Sequence, residues 1–495
     1  MSTPVQPVVA IVGHIDHGKT TLLDYIRKAN VAGGEHGGIT QRVSAYEAVH
    51  KNASGEHLIT FIDTPGHEAF GAMRRRSARA ADIAILIVAA DDGVKPQTQE
   101  AIKAINDAGV PMIVAFTKID KDTANIEKAK ETVLREGVYL EGLGGDVPWA
   151  AVSGKSGEGI PELMDLILLV AEVQELKADP GAAVEAVVIE SSRDAKSGTA
   201  ATVIIRQGTL QTGGFAVTGT AYAPLRSIEN FAGKRVDSLE CGKPARLTGF
   251  TAEPVVGSTV TVVSTKKEAE EMVVAATIAR KNSDATRSNA ENTDKVVMRV
   301  VLKADTQGSI EALQYELAKV THPDVEVLTV ATGVGAVNEN DVKLLIGFSP
   351  SAILAFNIKV DPSAKDLAER QRIMLESRAI IYELSEWLAA ELIRHAPDRS
   401  AEAITGTAKI IKLFSAAGSK HVVGAKVESG VIKLGEQVSI FRRGLEIGHG
   451  KISNLQQQRS NVSTVAEGLE FGMQIDSKAD IVGGDMVQIG GKKHG

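Results

Sequence analysis

Four short stretches of this sequence combine residue types that handle phosphate and a purine base. Gly13-His14-Ile15-Asp16-His17-Gly18-Lys19-Thr20 fits the pattern G-x-x-x-x-G-K-[ST], after an apolar run and ahead of a helix that begins near Thr20 and takes in Thr21. In such a loop, backbone N–H groups and the helix N-terminus receive phosphate oxygens. The lysine reaches the outer phosphates, and the Thr20 hydroxyl ligates magnesium. Asp63-Thr64-Pro65-Gly66 follows a second apolar run. There a carboxylate at a strand end can hold a magnesium-bound water, and Gly66 leaves its N–H free for a terminal phosphate. Alone, D-x-x-G more often marks a turn; its place after the phosphate loop gives it weight.

Thr117-Lys118-Ile119-Asp120 comes directly after the apolar run Met112 to Phe116. Asp120 can accept hydrogen bonds from the ring N–H and exocyclic amine of guanine. Adenine offers neither donor there, and leaving a buried carboxylate unsatisfied costs ~1–3 kcal/mol or more, which favours guanine. Ser153-Gly154-Lys155 would support the other edge of the base, a weak signal by itself that gains value from its position. The ligands implied are GTP, GDP and magnesium.

The glycine-rich stretch from Gly33 to Thr40 is either a plain flexible loop or a switch whose Thr40 completes the magnesium shell when the third phosphate is present. Small regulatory GTPases often place a water-positioning glutamine after D-x-x-G; here the residue is His67. A histidine can orient or polarise the attacking water while the loop, Lys19 and magnesium stabilise developing charge. A satisfied structural histidine is the alternative.

These residues need a scaffold, and the chain supplies alternating strands and helices. Val8 to Val12, Leu58 to Ile62, Ile83 to Ala89, Met112 to Phe116 and Ala150 to Val152 read as strands of a mostly parallel sheet covered on both faces, closed by a helix from Pro161 to Leu176. Ala178 to Gly181 reads as a linker. Glycine-punctuated β-branched runs at Ala200 to Arg206, Phe215 to Gly219 and Ser258 to Val263 suggest a small antiparallel barrel, followed by a charged helical stretch beginning KKEAEE whose charges form a solvated face. Val296 to Leu302, a helix from Ser309 to Val320, Val325 to Val330, a helix from Asn338 to Leu345 and Ile353 to Asn357 make a smaller α/β layer. Ile380, Ile381, Leu384, Trp387, Leu388 and Leu392 form an amphipathic stripe within Ser377 to His395. Strands return at Thr407 to Lys412, His421 to Val427 and Gln437 to Phe441. The expected domains are 1–176, 181–265, a linker 266–295, 296–376, a connecting helix 377–397 and a final barrel 400–490.

At 495 residues with 43% hydrophobic and 24% charged residues, the chain is expected to be a soluble multidomain protein. A net charge of −7 argues against coating nucleic acid by charge alone, and the single cysteine, Cys241, read as a small residue near a barrel turn, suits a reducing compartment. No basic residue precedes Lys19 and no apolar run approaches ~20 residues, so no leader or membrane span is expected and the protein reads as cytoplasmic. Trp149 and Trp387 read as core.

GHIDHGKTTLLDYI, GGITQ, FIDTPGHEAF and VAADDGVKPQTQEAI together closely resemble the GTPase domain of bacterial translation initiation factor two. KSGTAATVIIRQGTL, VVLKADTQGSIEAL and TGVGAVNENDV resemble that family too, in the same order, so the resemblance covers nearly the whole chain, without the long N-terminal extension many members carry. It implies a multidomain α/β plus β fold: a P-loop GTPase domain, a β-barrel, a small α/β domain, a long connecting helix and a C-terminal β-barrel. It implies a monomer that, with GTP bound, holds formylmethionyl initiator tRNA on the small ribosomal subunit, promotes joining of the large subunit, and hydrolyses GTP on contact with it. In related GTPases Asp16 helps hold a monovalent cation beside the phosphates.

The chain departs from the family at Thr117, where asparagine is usual, and in the last barrel. There a basic and aromatic stretch is replaced by Leu455-Gln456-Gln457-Gln458-Arg459, Glu-Cys-Gly by Glu470-Phe471-Gly472, and another pocket cysteine by Ala425. Arg459, Glu470 and Gly472 are the residues carried over to the tRNA acceptor-end site; ordinary barrel surface and core is the competing reading. Arg74, Arg75, Arg76 and Arg79 lie on a helix that either faces ribosomal RNA or is solvated surface. An elongation-type aminoacyl-tRNA carrier would follow its first barrel immediately with a second; the intervening α/β segment favours initiation. A non-catalytic GTP sensor is disfavoured by intact Lys19, Thr20, Thr40, Asp63 and His67.

Overall fold

Apolar β-branched runs fold into strands here because both of their faces find helices to pack against. A computed structural model describes residues 3–27, 41, 43–194, 198–284, 295–396, 405–442, 445–458 and 460–489, in two compact units split after His395. In the first unit, six strands lie in the order Ser44–Asn52, Gly55–Asp63, Val8–Gly13, Ile83–Ala89, Met112–Thr117 and Trp149–Ala151. Only the first pair is antiparallel. Alternation splits the side chains between two cores. Val9, Ile11, Ile85 and Ile113 meet Leu22 of α1 (Lys19–Arg27) and Leu163 of α5 (Ile160–Val173). Val12, Leu86, Val88 and Phe116 meet Ile102 of α3 (Pro96–Ala108) and Val133 of α4 (Ile126–Arg135). Since the chain leaves Val8–Gly13 toward one edge and returns to the other, a crevice opens at Gly13, where open parallel sheets bind ligands.

The barrel that follows is an antiparallel sheet of eight strands wrapped on one apolar core. It is fastened to the first sheet by polar bonds: Thr60 Oγ1 donates to the carbonyl of Gly242 at 2.7 Å in a buried contact, and the partly buried Arg206 pairs with Asp82 at 2.5 Å. The KKEAEE segment opens α6 (Lys266–Asp284), whose charges are exposed. The smaller layer is a parallel sheet in the order Val325–Val334, Val296–Ala304, Ser351–Phe356 and Met374–Arg378, with α7 (Gln307–Lys319), α8 (Glu339–Lys343) and α9 (Pro362–Gln371) connecting its strands. Then comes α10 (Ile381–His395), which buries Ile381, Leu384, Leu388 and Leu392.

The second unit closes into a ring, because Gly406–Ala417 pairs with both Met486–Ile489 and Lys420–Lys433, around a core that includes Ile410, Ile440 and Ile475. Among the described residues no helix is long and apolar enough to cross a membrane.

Several local expectations are corrected. Ser44–Asn52, α9 and Met374–Arg378 go beyond the expected elements: Tyr46 and Ala48, and Ala364, Leu367 and Ala368, face a core, but so few and mostly small apolar residues among polar ones make a weak pattern. Because Met374–Arg378 extends the sheet, the α10 helix starts at Ile381 rather than Ser377. The helix expected over Asn338 to Leu345 shrinks to α8, opened by a reciprocal cap between Asn338 and Asp341. Ala178, placed in a linker, pairs with Thr3. Trp149 and Trp387 are partly exposed rather than core, with the Lys130 amine 3.7 Å from the Trp149 ring centre.

Leu388→Ala leaves a cavity under α10 and is expected to cost about 2–5 kcal/mol. Hydrogen exchange is expected to show lost amide protection across α10 and unchanged protection in the six-stranded sheet; full retention would mean the stripe does not hold the helix.

Candidate functional site

All four sequence stretches reach the C-terminal end of the large sheet. Each follows one of its strands: Gly13–Thr20 after Val8–Gly13, Asp63–Gly66 after Gly55–Asp63, Thr117–Asp120 after Met112–Thr117 and Ser153–Lys155 after Trp149–Ala151. The phosphate-loop lysine is buried, and its Nζ donates to the carbonyls of Gly13 (2.9 Å) and His14 (2.6 Å). Burial lowers its pKa to about 7, with the Asp63 and Asp16 carboxylates opposing that shift. An amine desolvated in this way gains strongly from an added anion. Asp16 is exposed, at a positive φ of 61°.

The D-x-x-G segment lies directly on the phosphate loop. Thr64 Oγ1 donates to the carbonyl of Ile11 at 2.7 Å, and a side chain at Gly66 would strike the Lys19 amine and come within 3.0 Å of the Ile15 nitrogen. Only glycine permits that approach. His67 then caps a single turn, Glu68–Phe70: its Nδ1 accepts the Ala69 N–H at 3.1 Å, which puts the ring proton on Nε2. The ring packs edge-on to Phe70 and, at 4.3 Å between centroids, to Tyr382 of α10. Burial, aided by the Lys319 and Arg74 charges, lowers its pKa to about 4.

At the base-recognition end, Thr117 is buried and its Oγ1 donates to the His17 carbonyl at 2.5 Å, so the hydroxyl that replaces asparagine ties the strand end to the phosphate loop. Lys118 turns the chain with a positive φ of 59°, Ile119 follows half-buried, and the Asp120 carboxylate is exposed. Ser153 is fully buried and donates to Asp120 at 2.7 Å, which holds that carboxyl below its usual pKa. Its oxygen also accepts N–H bonds from Lys155 (3.2 Å) and Ser156 (3.1 Å). Gly154 presses on the start of α1, where an added Cβ would lie 2.8 Å from the Leu22 nitrogen. Thr21 is exposed beside it.

Two supports of this region depart from the sequence reading, Gln97 because it was not singled out and Arg74 because it was placed elsewhere. Gln97, in the first turn of α3, accepts the Ile15 N–H at 3.0 Å. Arg74, expected on the surface or against RNA, is 1% exposed: it donates to the carbonyls of Pro65 (3.2 Å) and His67, and pairs with Glu100 of α3 at 2.5 Å. The only sequence signal for Gln97 was its place in VAADDGVKPQTQEAI; for Arg74 the surrounding arginines pointed the wrong way. Arg76 pairs with Glu311 at 2.7 Å, while Arg75 and Arg79 are exposed. Cys241 lies in a turn beside the barrel, its thiol donating to the Arg206 carbonyl.

Thr40 and Arg459 lie outside the described residues. In the final barrel, Glu470 and Gly472 sit on the strand Glu470–Ser477, paired with Lys426 and Gly424. Phe471 and Ala425 are buried in the core, and the Gln456 amide donates to Asn461 at 2.9 Å.

His17 is 1% exposed, and burial lowers its pKa, like that of His67, to about 4. In the unfolded chain both rings take up protons below about 6.5, whereas in the fold they stay neutral to about 4. The unfolded state therefore binds more protons in that window, and stability falls as pH drops through it. The melting temperature is expected to decline from pH 7 to pH 5, less steeply when both residues are changed to glutamine; an equal slope in the double variant contradicts the assignment.

Comparison with known proteins agrees along the whole chain. Family models match for the elongation factor Tu GTP binding domain at residues 6–173, elongation factor G domain 2 at residues 183–263 and translation-initiation factor 2 at residues 274–389. Translation initiation factor IF-2 of Halothermothrix orenii is 38% identical over 492 residues, 97% of this chain and 71% of that protein. That of Rubrobacter xylanophilus is 38% identical over 491 residues, 97% and 70%. The crystal structure of GDP-bound aIF5B from Aeropyrum pernix is 26% identical, covering 98% of this chain and 92% of that one with a TM-score of 0.47. A chain with a GTP-binding domain, matched from end to end at this identity, belongs to the translation initiation factor IF-2 family and is a GTPase of translation initiation.

Proposed function

We propose that Gly13–Thr21 receives the phosphates of GTP or GDP, that Asp120 and Ser153 with Thr117–Ile119, Gly154 and Lys155 hold guanine, and that His67 orients the attacking water. The observation that carries this reading is the contact of Gly66 with Lys19 and Ile15, which puts His67 one residue from the phosphate loop. With Nδ1 held by the backbone the neutral ring carries its proton on Nε2, the tautomer that donates to a water once the ring is free to turn. The Lys19 amine meets charge that develops on the outer phosphates.

Thr20 and Thr40 hydroxyls and the buried Asp63 carboxylate, the last through water, are the donors for magnesium. Hard oxygens of this kind fit an ion that takes its remaining ligands from water and phosphate. When bound, magnesium neutralises charge on the phosphates. Asp16 is an accessory ligand for a monovalent cation.

The protein works in the cytoplasm as a monomer. It associates with the small ribosomal subunit, holds formylmethionyl initiator tRNA through Arg459, Glu470 and Gly472 of the last barrel, and hydrolyses GTP when the large subunit joins. With Phe471 in the barrel core, the proposed pocket is left with Arg459, Glu470 and the backbone at Gly472.

His67→Ala is expected to keep GTP affinity while ribosome-stimulated turnover falls by about a hundredfold or more; undiminished turnover sinks the catalytic role. Asp120→Asn turns an acceptor into a donor, so binding is expected to shift from GTP to xanthosine triphosphate, measured by competition with a fluorescent nucleotide. Unchanged guanine preference would remove Asp120 from base recognition.

A further inference from the structure

Two segments that sense the third phosphate in the reading above touch one short stretch outside the GTPase domain. Gln41, the residue after Thr40, donates its Nε2 to the carbonyl of Ala379 at 3.2 Å. The ring of His67 meets the ring of Tyr382 at 4.3 Å with planes 67° apart. Ala379 lies in the turn between the strand Met374–Arg378 and α10, and Tyr382 stands in the first turn of α10. More than three hundred residues separate the partners in each pair, so tertiary packing alone brings them together.

Tyr382 is firmly placed, because Ile381 and Leu384 beside it are buried in the small α/β layer. Its hydroxyl is buried with no hydrogen-bond partner among the described residues, so the ring and not the polar head makes the contact. On the other side, the backbone bond from Ala69 and the edge of Phe70 fix His67. The charged groups that act on its ring are Lys319 of α7, and Glu68 and Arg74 of its own segment. Glu68 is itself held by the Tyr315 hydroxyl and the Lys319 amine of α7.

We propose that the turn Ala379–Tyr382 is a latch on both switch segments, in which Tyr382 holds His67 in a packed, unreactive pose that must be released before water can be oriented. The latch rests on the assignment of His67 as the water-orienting residue. Tyr382 is a positioning residue: it acts through His67 and touches no substrate. Because α10 runs on to His395, where the second unit begins, movement of that helix is the natural release.

The test is GTP turnover by the full chain without ribosomes. An edge-on aromatic pair contributes enough to change turnover by about two- to tenfold, so Tyr382→Leu, which keeps apolar bulk, and Tyr382→Ala are both expected to rise by that factor. Tyr382→Phe keeps the ring and is expected to match the wild type, and adding His67→Ala to Tyr382→Leu abolishes the rise. In histidine-labelled protein followed by NMR, the His67 ring is expected to titrate near 4 in the wild type and higher in Tyr382→Leu, as the released ring turns into water. Unchanged turnover and titration in Tyr382→Leu, with His67→Ala still defective on the ribosome, overturn the latch and leave the role of His67 standing. Normal stimulated turnover in His67→Ala overturns both.

Discussion

One buried guanidinium organises the switch region. Arg74 has almost no exposed surface, so its charge is removed from water and must be repaid locally by hydrogen bonds and an opposite charge. The Pro65 and His67 carbonyls and the Glu100 carboxylate do this, joining the D-x-x-G segment to α3. Removing Arg74 would leave two backbone carbonyls without their donor and cut the link to the half-exposed Glu100, while keeping it fixes the chain on either side of Gly66. The contact of Gly66 with Lys19 and the cap formed by His67 both depend on that placement. Since α3 also supplies Gln97 to the Ile15 N–H, one helix supports the phosphate loop and the switch together.

From this centre the structure connects outward. The turn that carries His67 meets α7 through Glu68, and α2 (Gly71–Ala80) meets it through Arg76 and Glu311. A change in the switch on binding or losing the third phosphate therefore has a packed neighbour to act on. By linkage, whatever moves α7 or α10 acts back on the nucleotide with the same free energy. The small α/β layer is thus in direct contact with the segments proposed to switch.

The centre of the GTPase sheet was legible because its inner strands are buried on both faces and read as unbroken apolar runs; Ile83–Ala89 was placed to the residue. Site stretches were legible because phosphate loops need fixed residue types at fixed spacing. Ser44–Asn52 and Met374–Arg378 were missed because edge strands owe much of their form to one partner strand, and the two core residues of the first, Tyr46 and Ala48, are too few to stand out among polar neighbours. Arg74 was misread for a related reason: three consecutive arginines on a ten-residue helix must point in different directions, and composition does not say which one faces inward. The Thr117 substitution looked like a lost amide contact, yet its hydroxyl takes up the His17 carbonyl, a bond no local pattern announces.

The proposed hydrolase is specific for guanine and stays slow until a ribosome releases it. Single-turnover hydrolysis of GTP by the wild-type chain, alone and with both ribosomal subunits, measures this. Slow cleavage alone, strong acceleration only when both subunits are present, and no cleavage of ATP under either condition are expected. Equal rates with and without subunits, or hydrolysis of ATP alongside GTP, would contradict the proposal.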